Sequence, residues 1–286
     1  MARLVARALR VGKSALMQTD SLAAYQGNHR LSYLIPALLW PEPAILALPE
    51  NLIDTVLRQD IPNLQHGLPI IKPVLAGDRW PDGDFRGLLV TSAETWLRDR
   101  LQHTHYPTDT PSGFPPDIPT LIDGAAELER WVRQQLSISL SPQDWDALML
   151  AYPTHQPFIR DLRVRITHSI FQHPANPYDC HLIDEPEKAL IHELFDHLAT
   201  YGGTYGQSDH PSYSGRHGKT SQLPQAWQQF WQQFTQPERL AWSHLNRGLG
   251  SVSLRCGPTD IRTELAPIWQ QQPVVLMFAA LDADKK

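Results

Sequence analysis

The chain has 286 residues, 42% hydrophobic and 19% charged, with a net charge of -5 and a pI near 6.2. This is an ordinary globular composition; it argues against disorder throughout and against a whole-protein basic footprint for nucleic acid, so any such contact has to be a local patch. Two cysteines far apart in sequence, Cys180 and Cys256, argue against a disulfide framework, a four-cysteine zinc site or an iron–sulfur cluster, and no run approaches the roughly 18 apolar residues of a membrane span.

Residues 2–11 fit an amphipathic helix. Arg3, Arg7 and Arg10 recur at helical spacing through its apolar positions, and no A-x-A-like site closes the segment. The expectation is a helix of a cytoplasmic protein rather than a signal peptide. Gly12 stops this helix, and SALMQT (14–19) is a short apolar run fit for a buried strand. Gly12-Lys13-Ser14 has the closing letters of a P-loop, G-x-x-x-x-G-K-[ST]. In that motif backbone N–H groups wrap the phosphates, Lys reaches them and Ser/Thr binds Mg²⁺. Arg7 fills the first glycine's slot, however, and this GKS ends a helix and opens a strand, the reverse of a P-loop. The favoured reading is a glycine C-cap with Lys13 on the last carbonyls.

A phosphate cradle belongs instead in loop 20–30, between strand 14–19 and helix 31–40. That loop carries one glycine, Gly27, and no lysine; its nearest cations are His29 and Arg30. AILALP (44–49) then reads as a strand followed by a helix from Asn51 to about Gln59. GLLVTS (87–92), AETWLRDRL (93–101) and PTLIDG (119–124) continue as strand, helix, strand, with a Pro- and Thr-rich surface loop at 103–119. Such alternation predicts a parallel sheet covered by helices on both faces. Asp123 stands at the tip of the last of these strands. It reads either as a Mg²⁺-holding carboxylate or as the N-cap of a following helix, and both readings stay open.

From residue 127 to about 245 the strand signal disappears, and 127–137, 142–151, 155–172, 184–200 and 223–235 all favour helix. Residues 201–222, rich in Gly, Ser and His, read as a flexible loop. Alternation resumes with GSVSLRC (250–256), TDIRTELAPIW (259–269) and PVVLMFA (273–279). The expected organisation is therefore 1–126 as the first part of an α/β sheet domain, 127–248 as a helical insertion and 249–286 as the return to the sheet. Within the insertion, His192-Glu193-x-x-Asp196-His197 nearly spells a metalloprotease helix. Its histidines are five residues apart rather than four, about 140° around the helix, so no metal site is assigned. His210 and His217 read as solvated loop residues. Trp227, Phe230, Trp231 and Phe234 recur at i, i+3, i+4, i+7 and read as a packed core face in preference to a base-stacking platform.

In order, these pieces resemble DinG/XPD-type superfamily 2 DNA helicases. LSYLIPALLW is similar to the helix after their P-loop, AILALPENLIDTVL to the next strand and helix, and GLLVTSAETWLRDRL to a further strand. TLIDGAAELERW resembles the D-E-A-H box and PVVLMFAALD the P-V-I-L-T-S-A-T-L motif. The resemblance spans nearly the whole chain and implies a P-loop NTPase (RecA-like) fold, with the helical insertion in place of the family's arch domain. It further implies ATP and Mg²⁺ as ligands, ATP hydrolysis as the activity, and single-stranded or forked DNA as partner. It places Gln26, Asn28, His29 and Arg30 on the slots of the two glycines, lysine and Ser/Thr, so that Gly27, Asn28, His29 and Arg30 mark a degenerate nucleotide-binding position. Asp123 keeps the aspartate of the D-E-A-H box, but Gly124 and Ala126 replace its Glu and His. Phe278-Ala279-Ala280 stand where Ser-Ala-Thr couples hydrolysis to DNA. The iron–sulfur cysteines of many members are missing. The adenine-reading motif would precede Met1, and a second motor domain with its arginine finger would follow residue 286. The expectation is a first motor domain alone, with little or no ATPase activity, completed by a partner chain or reduced to a non-catalytic protein- or DNA-binding module.

Overall fold

The computed structural model describes residues 1–19, 27–69, 72–81, 83–105, 113–201 and 223–279. The chain forms two compact units, one from Met1–Gln135 with Asp260–Lys286 and the other from Leu136–Thr259. No described helix is long and apolar enough to cross a membrane.

The chain opens with α1 (Ala2–Val11), β1 (Ala15–Thr19), α2 (Leu31–Leu39) and β2 (Ala44–Leu48). Next come α3 (Glu50–Thr55), a π-turn over Val56–Asp60, α4 (Ile61–Gln65), β3 (Val74–Ala76), β4 (Leu88–Ser92), α5 (Ala93–His105), β5 (Thr120–Asp123) and α6 (Leu128–Leu136). The second unit adds β6 (Ile138–Leu140), α7 (Pro142–Ala151), α8 (Gln156–Phe171), β7 (Cys180–Leu182), α9 (Glu185–Tyr201), α10 (Gln225–Phe234), β8 (Arg239–Asn246) and β9 (Ser251–Pro258). The chain then rejoins the first unit through α11 (Ile261–Gln271) and β10 (Val274–Ala279).

The first unit is built on a six-stranded sheet in the order β1-β10-β5-β2-β4-β3, with every ladder parallel. Its central strands are buried from end to end, as Ala44–Leu48 and Thr120–Asp123 both show. That explains why Ala44–Leu48 reads as an unbroken apolar run rather than an alternating one. Strands β5 and β10 are neighbours although the whole second unit lies between them in sequence. Tyr33, Leu34, Ala37 and Leu38 of α2 pack with Val5, Ala8 and Leu9 of α1 in the core on one side of the sheet.

Two local devices fix how α1 and α2 end. Gly12 adopts φ +64°, its N–H donates to Leu9 O, and the Lys13 N–H donates to Ala8 O, so GKS is a helix terminus and not a phosphate loop. At the end of α2, buried Lys72 donates through Nζ to the carbonyls of Ala37, Trp40 and Glu42 at 3.1, 2.7 and 2.8 Å. Burial draws its pKa down to about 8.

The second unit corrects the expectation of an all-helical insertion. It holds a four-stranded antiparallel sheet in the order β6-β9-β8-β7. Strands β8 and β9 form a hairpin paired from Arg239↔Pro258 to Asn246↔Ser251. Residues 250–256, expected to return to the first sheet, belong to this hairpin, and the return begins at Asp260. The division therefore falls at 135/136 and 259/260 rather than at 126/127 and 248/249. Helices remain its larger part: α7, α8, α9 and α10 bury Trp145, Ile159, Leu162, Phe195, Trp227 and Phe230 in one core. In that core Trp145 meets Trp227 edge to face at 4.7 Å and Phe195 stacks on Trp231 at 3.8 Å. The α10 aromatic stripe is thus core, with Trp227 Nε1 donating to Asp144 O at 2.8 Å. The expected flexible loop at 201–222, apart from Tyr201 at the end of α9, lies outside the described residues.

Candidate functional site

In an open parallel sheet all strands point the same way, and ligands bind in the crevice beyond their carboxyl ends. In the first unit that edge receives the end of β5 and the segment leading into α2. Gly27 sits at φ +73°, and a Cβ there would collide with the Arg30 guanidinium. It opens a 3-10 turn over Asn28–Arg30 that runs directly into α2. This turn carries His29 and Arg30 toward two carboxylates.

His29 Nε2 lies 3.1 Å from Asp123 Oδ2. Tyr33, one turn further along α2, donates its hydroxyl to the same oxygen at 2.8 Å. The Gly124 N–H donates to Asp123 Oδ1 at 2.8 Å. The whole cluster is withdrawn from water: Asp123 is 4% exposed and Tyr33 fully buried. Burial, then the charge of Asp123, raises the Tyr33 pKa well above the usual phenol value and keeps it a donor. The other imidazole nitrogen, His29 Nδ1, is buried and has no hydrogen-bond partner among the described residues. With Nε2 facing a carboxylate, the proton of a neutral ring belongs on Nε2. Arg30 turns the other way and donates from Nε to Asp60 Oδ2 at 2.6 Å. That hydrogen bond is the main reason its pKa is raised.

The two basic side chains of the expected cradle are therefore both engaged by carboxylates of the chain itself. Mg²⁺ takes a near-octahedral set of oxygens at about 2.0–2.1 Å, and Asp123 Oδ2 already serves two donors. Among the described residues of the cradle, 27–30, there is neither lysine nor Ser/Thr. These residues do not fit Mg²⁺ with a nucleoside triphosphate as they are arranged. The position after Asp123 is also set against the glutamate of a D-E-A-H box: Gly124 lies at φ +77°, and a Cβ there would stand 3.0 Å from Pro49 Cγ and 3.2 Å from Trp131 Cη2. Asp123 does not cap α6 either. Its side chain accepts from the very next N–H, and Gly124 is the N-cap of the short 3-10 turn at Ala125–Glu127.

Asn28 joins the turn, Phe278 accepts through its carbonyl from Thr19 Oγ1 at 3.2 Å, and the backbone of Ala279 pairs with Thr19. Gln26 and Ala280 lie outside the described residues, as do His210 and His217. Sequence reasoning missed two partners. Tyr33 was legible only as a letter of the family's helix, and Asp60 ends a π-turn with no distinctive spacing. In the second unit His192 packs near Trp231 and Phe234, while His197 stacks on Phe158 at 3.7 Å with Nε2 3.2 Å from His155 Nδ1. The two rings of the near-metalloprotease motif thus have different surroundings. His173, Asp184 and Glu187, unmarked by sequence, each bring a ligand-type atom within 4.8 Å of the others. There the buried Glu187 carboxylate accepts from Ser169 Oγ (2.5 Å), the Asp184 N–H (2.9 Å) and His173 Nε2 (3.1 Å). These bonds tie α8 to the start of α9.

An open six-stranded parallel sheet with helices packed on it, and a strand-tip aspartate facing the turn into α2, make an α/β fold of the RecA type. No family model matches the chain, and no curated protein matches its sequence. Among solved structures the chain is similar to S. tokodaii Xpd4, with a TM-score of 0.55 and 10% identity over 99% of this chain and 60% of that one. The chain thus spans 60% of the length of that structure. At this identity the likeness is one of fold.

Proposed function

We propose that the chain is a motor domain of the DinG/XPD helicase type by descent, whose nucleotide site is closed by its own side chains. The observation that carries this reading is the His29–Asp123–Tyr33 cluster. The side chain in the lysine slot bonds the carboxylate that a motor keeps for Mg²⁺, so the two halves of the cradle occupy each other. Arg30, in the Ser/Thr slot, is held by Asp60. Hydrolysis by such motors further relies on an arginine finger worth about 10³–10⁵ in rate, and none of the family's expected site residues in this chain takes that role. The chain then serves as a non-hydrolysing helicase component, engaging single-stranded or forked DNA or a partner chain that carries a second motor domain.

The test measures ATP turnover and nucleotide binding by the purified chain, with and without single-stranded DNA. Negligible turnover at every DNA concentration is expected, and DNA-stimulated hydrolysis at ordinary motor rates refutes the reading. The alternative, a module that binds only protein, is favoured by the net charge of -5. Oligonucleotide binding that weakens steeply with salt, as counterion release requires, supports the DNA-engaging form. Salt-independent failure to bind DNA supports the protein-binding form.

A further inference from the structure

Helix α1 has two faces of different chemistry. Val5, Ala8 and Leu9 are buried against the sheet unit. The opposite face carries Arg3, Arg7 and Arg10 at i, i+4, i+7, spaced about 6 Å and 4.5 Å along the axis at 1.5 Å per residue. All three are exposed, and no ion pair engages them among the described residues. The first turn of α1 contains no acidic residue, so Arg3 meets the positive end of the helix dipole uncompensated. In a chain of net charge -5, this is a local concentration of unpaired positive charge.

Beside the arginine row runs an apolar groove of about 590 Å³ between α1 and α2. Ala6 forms part of one wall, and Ile35, Pro36, Leu39 and Trp40 form the other. Leu39 is 45% exposed, a large aliphatic side chain facing water.

From this juxtaposition we propose that the α1–α2 groove docks an amphipathic helix of a partner protein. That helix carries an aliphatic ridge flanked by carboxylates at i, i+4, i+7. The ridge fills the groove as apolar anchors do in helix-in-groove recognition. The carboxylates, at the same helical spacing as Arg3, Arg7 and Arg10, pair with the guanidiniums, whose fork geometry suits them. Charge complementarity decides between acidic and neutral partners. The floor decides between protein and nucleic acid: base binding draws on successive aromatic faces, whereas this groove offers aliphatic side chains and one aromatic ring, Trp40, whose Nε1 is itself buried.

The experiment uses the full chain and a fluorescein-labelled synthetic helix with a leucine ridge flanked by glutamates at that spacing. A second peptide has lysines in place of the glutamates. Anisotropy is expected to show saturable binding of the acidic peptide, with a dissociation constant on the order of micromolar, and none of the lysine peptide. The variant Arg3→Glu/Arg7→Glu/Arg10→Glu is expected to lose acidic-peptide binding by at least about tenfold, about 1.4 kcal/mol, and to gain the lysine peptide. Leu39→Lys, which leaves the arginines in place, is expected to weaken binding as well, so a misfolded triple variant does not leave the proposal without a test. The proposal is overturned if the wild-type chain ignores the acidic peptide, if it binds both peptides alike, or if Leu39→Lys binds like the wild type. It is also overturned if a thymidine oligonucleotide displaces the peptide and binds with higher affinity, which makes the surface one for nucleic acid.

Discussion

His29 and Asp123 are separated by 94 positions in the chain and by 3.1 Å in space. Tyr33 donates to the same Asp123 oxygen at 2.8 Å and closes the third side. Asp123, at the tip of β5, is an internal acceptor that fastens α2 to the sheet. Its role is therefore expected to appear in stability measurements.

Asp123→Ala removes the acceptor of a buried hydroxyl, a half-buried imidazole and a backbone N–H at once. Removing one member of such a buried set costs roughly 3–5 kcal/mol. Chemical denaturation is expected to show a loss of this size, and Asp123→Asn, which keeps the shape and one acceptor oxygen, a smaller one. An unchanged denaturation midpoint for the alanine variant means the cluster is not structural.

Gly124→Glu, which writes the D-E pair of DinG/XPD-type helicases into this chain, is expected to destabilise it by roughly 1–3 kcal/mol, because a non-glycine residue is forced into the left-handed region against Pro49 and Trp131. It is also expected to restore no ATP turnover. Measurable hydrolysis in this single variant contradicts the closed-site reading.

Lys72→Met leaves the carbonyls of Ala37, Trp40 and Glu42 without their shared donor. A loss of at least about 2 kcal/mol is expected, given 1–3 kcal/mol for a buried polar group left unsatisfied. Amide hydrogen exchange should localise the damage to the end of α2.

Glu187 supplies a pH prediction. Burial pushes its carboxyl up, but the hydrogen bonds from Ser169, His173 and backbone N–H groups together outweigh burial and leave the pKa below the usual 4.5. Between the folded value and 4.5 the unfolded chain binds more protons than the folded one, so stability rises with pH there. The contribution is complete above about 4.5 and is lost as pH falls through the folded value. Denaturation midpoints measured from about pH 6 to about pH 3 are expected to decline less steeply in Glu187→Gln than in the wild-type chain. Parallel declines in the two proteins remove Glu187 as a source of the acid sensitivity.

The first unit was largely legible in the sequence because its strands are buried on both faces. Ala44–Leu48 is an unbroken apolar run between two prolines and Leu88–Val90 is another after Gly87, and such runs need no partner to be recognised. The second sheet was not legible. In β8 the inward positions are Ala241, Ser243 and Leu245, one of them polar, while Leu240 and Trp242 lie on the other face. The period of two is thereby blurred. Strands β6 and β7 have three residues each, too few to show any period. At the site, Asp123, His29 and Arg30 were recognisable by type and place. Their partners were not, because a contact between residues 29 and 123, or 30 and 60, is a property of the closed sheet and turn and leaves no spacing rule in the chain.

The order β1-β10-β5 has a consequence for synthesis. Among the described residues β1 pairs only with β10, so a ribosome must make residues 20–273 before the strand at 15–19 can find its neighbour. Throughout that interval β5 also waits with one edge open, while the second unit, contiguous from 136 to 259, can already fold. Nascent chains stalled before residue 274 therefore expose two unpaired apolar edges, the kind of surface that recruits chaperones or draws neighbouring chains into aggregates.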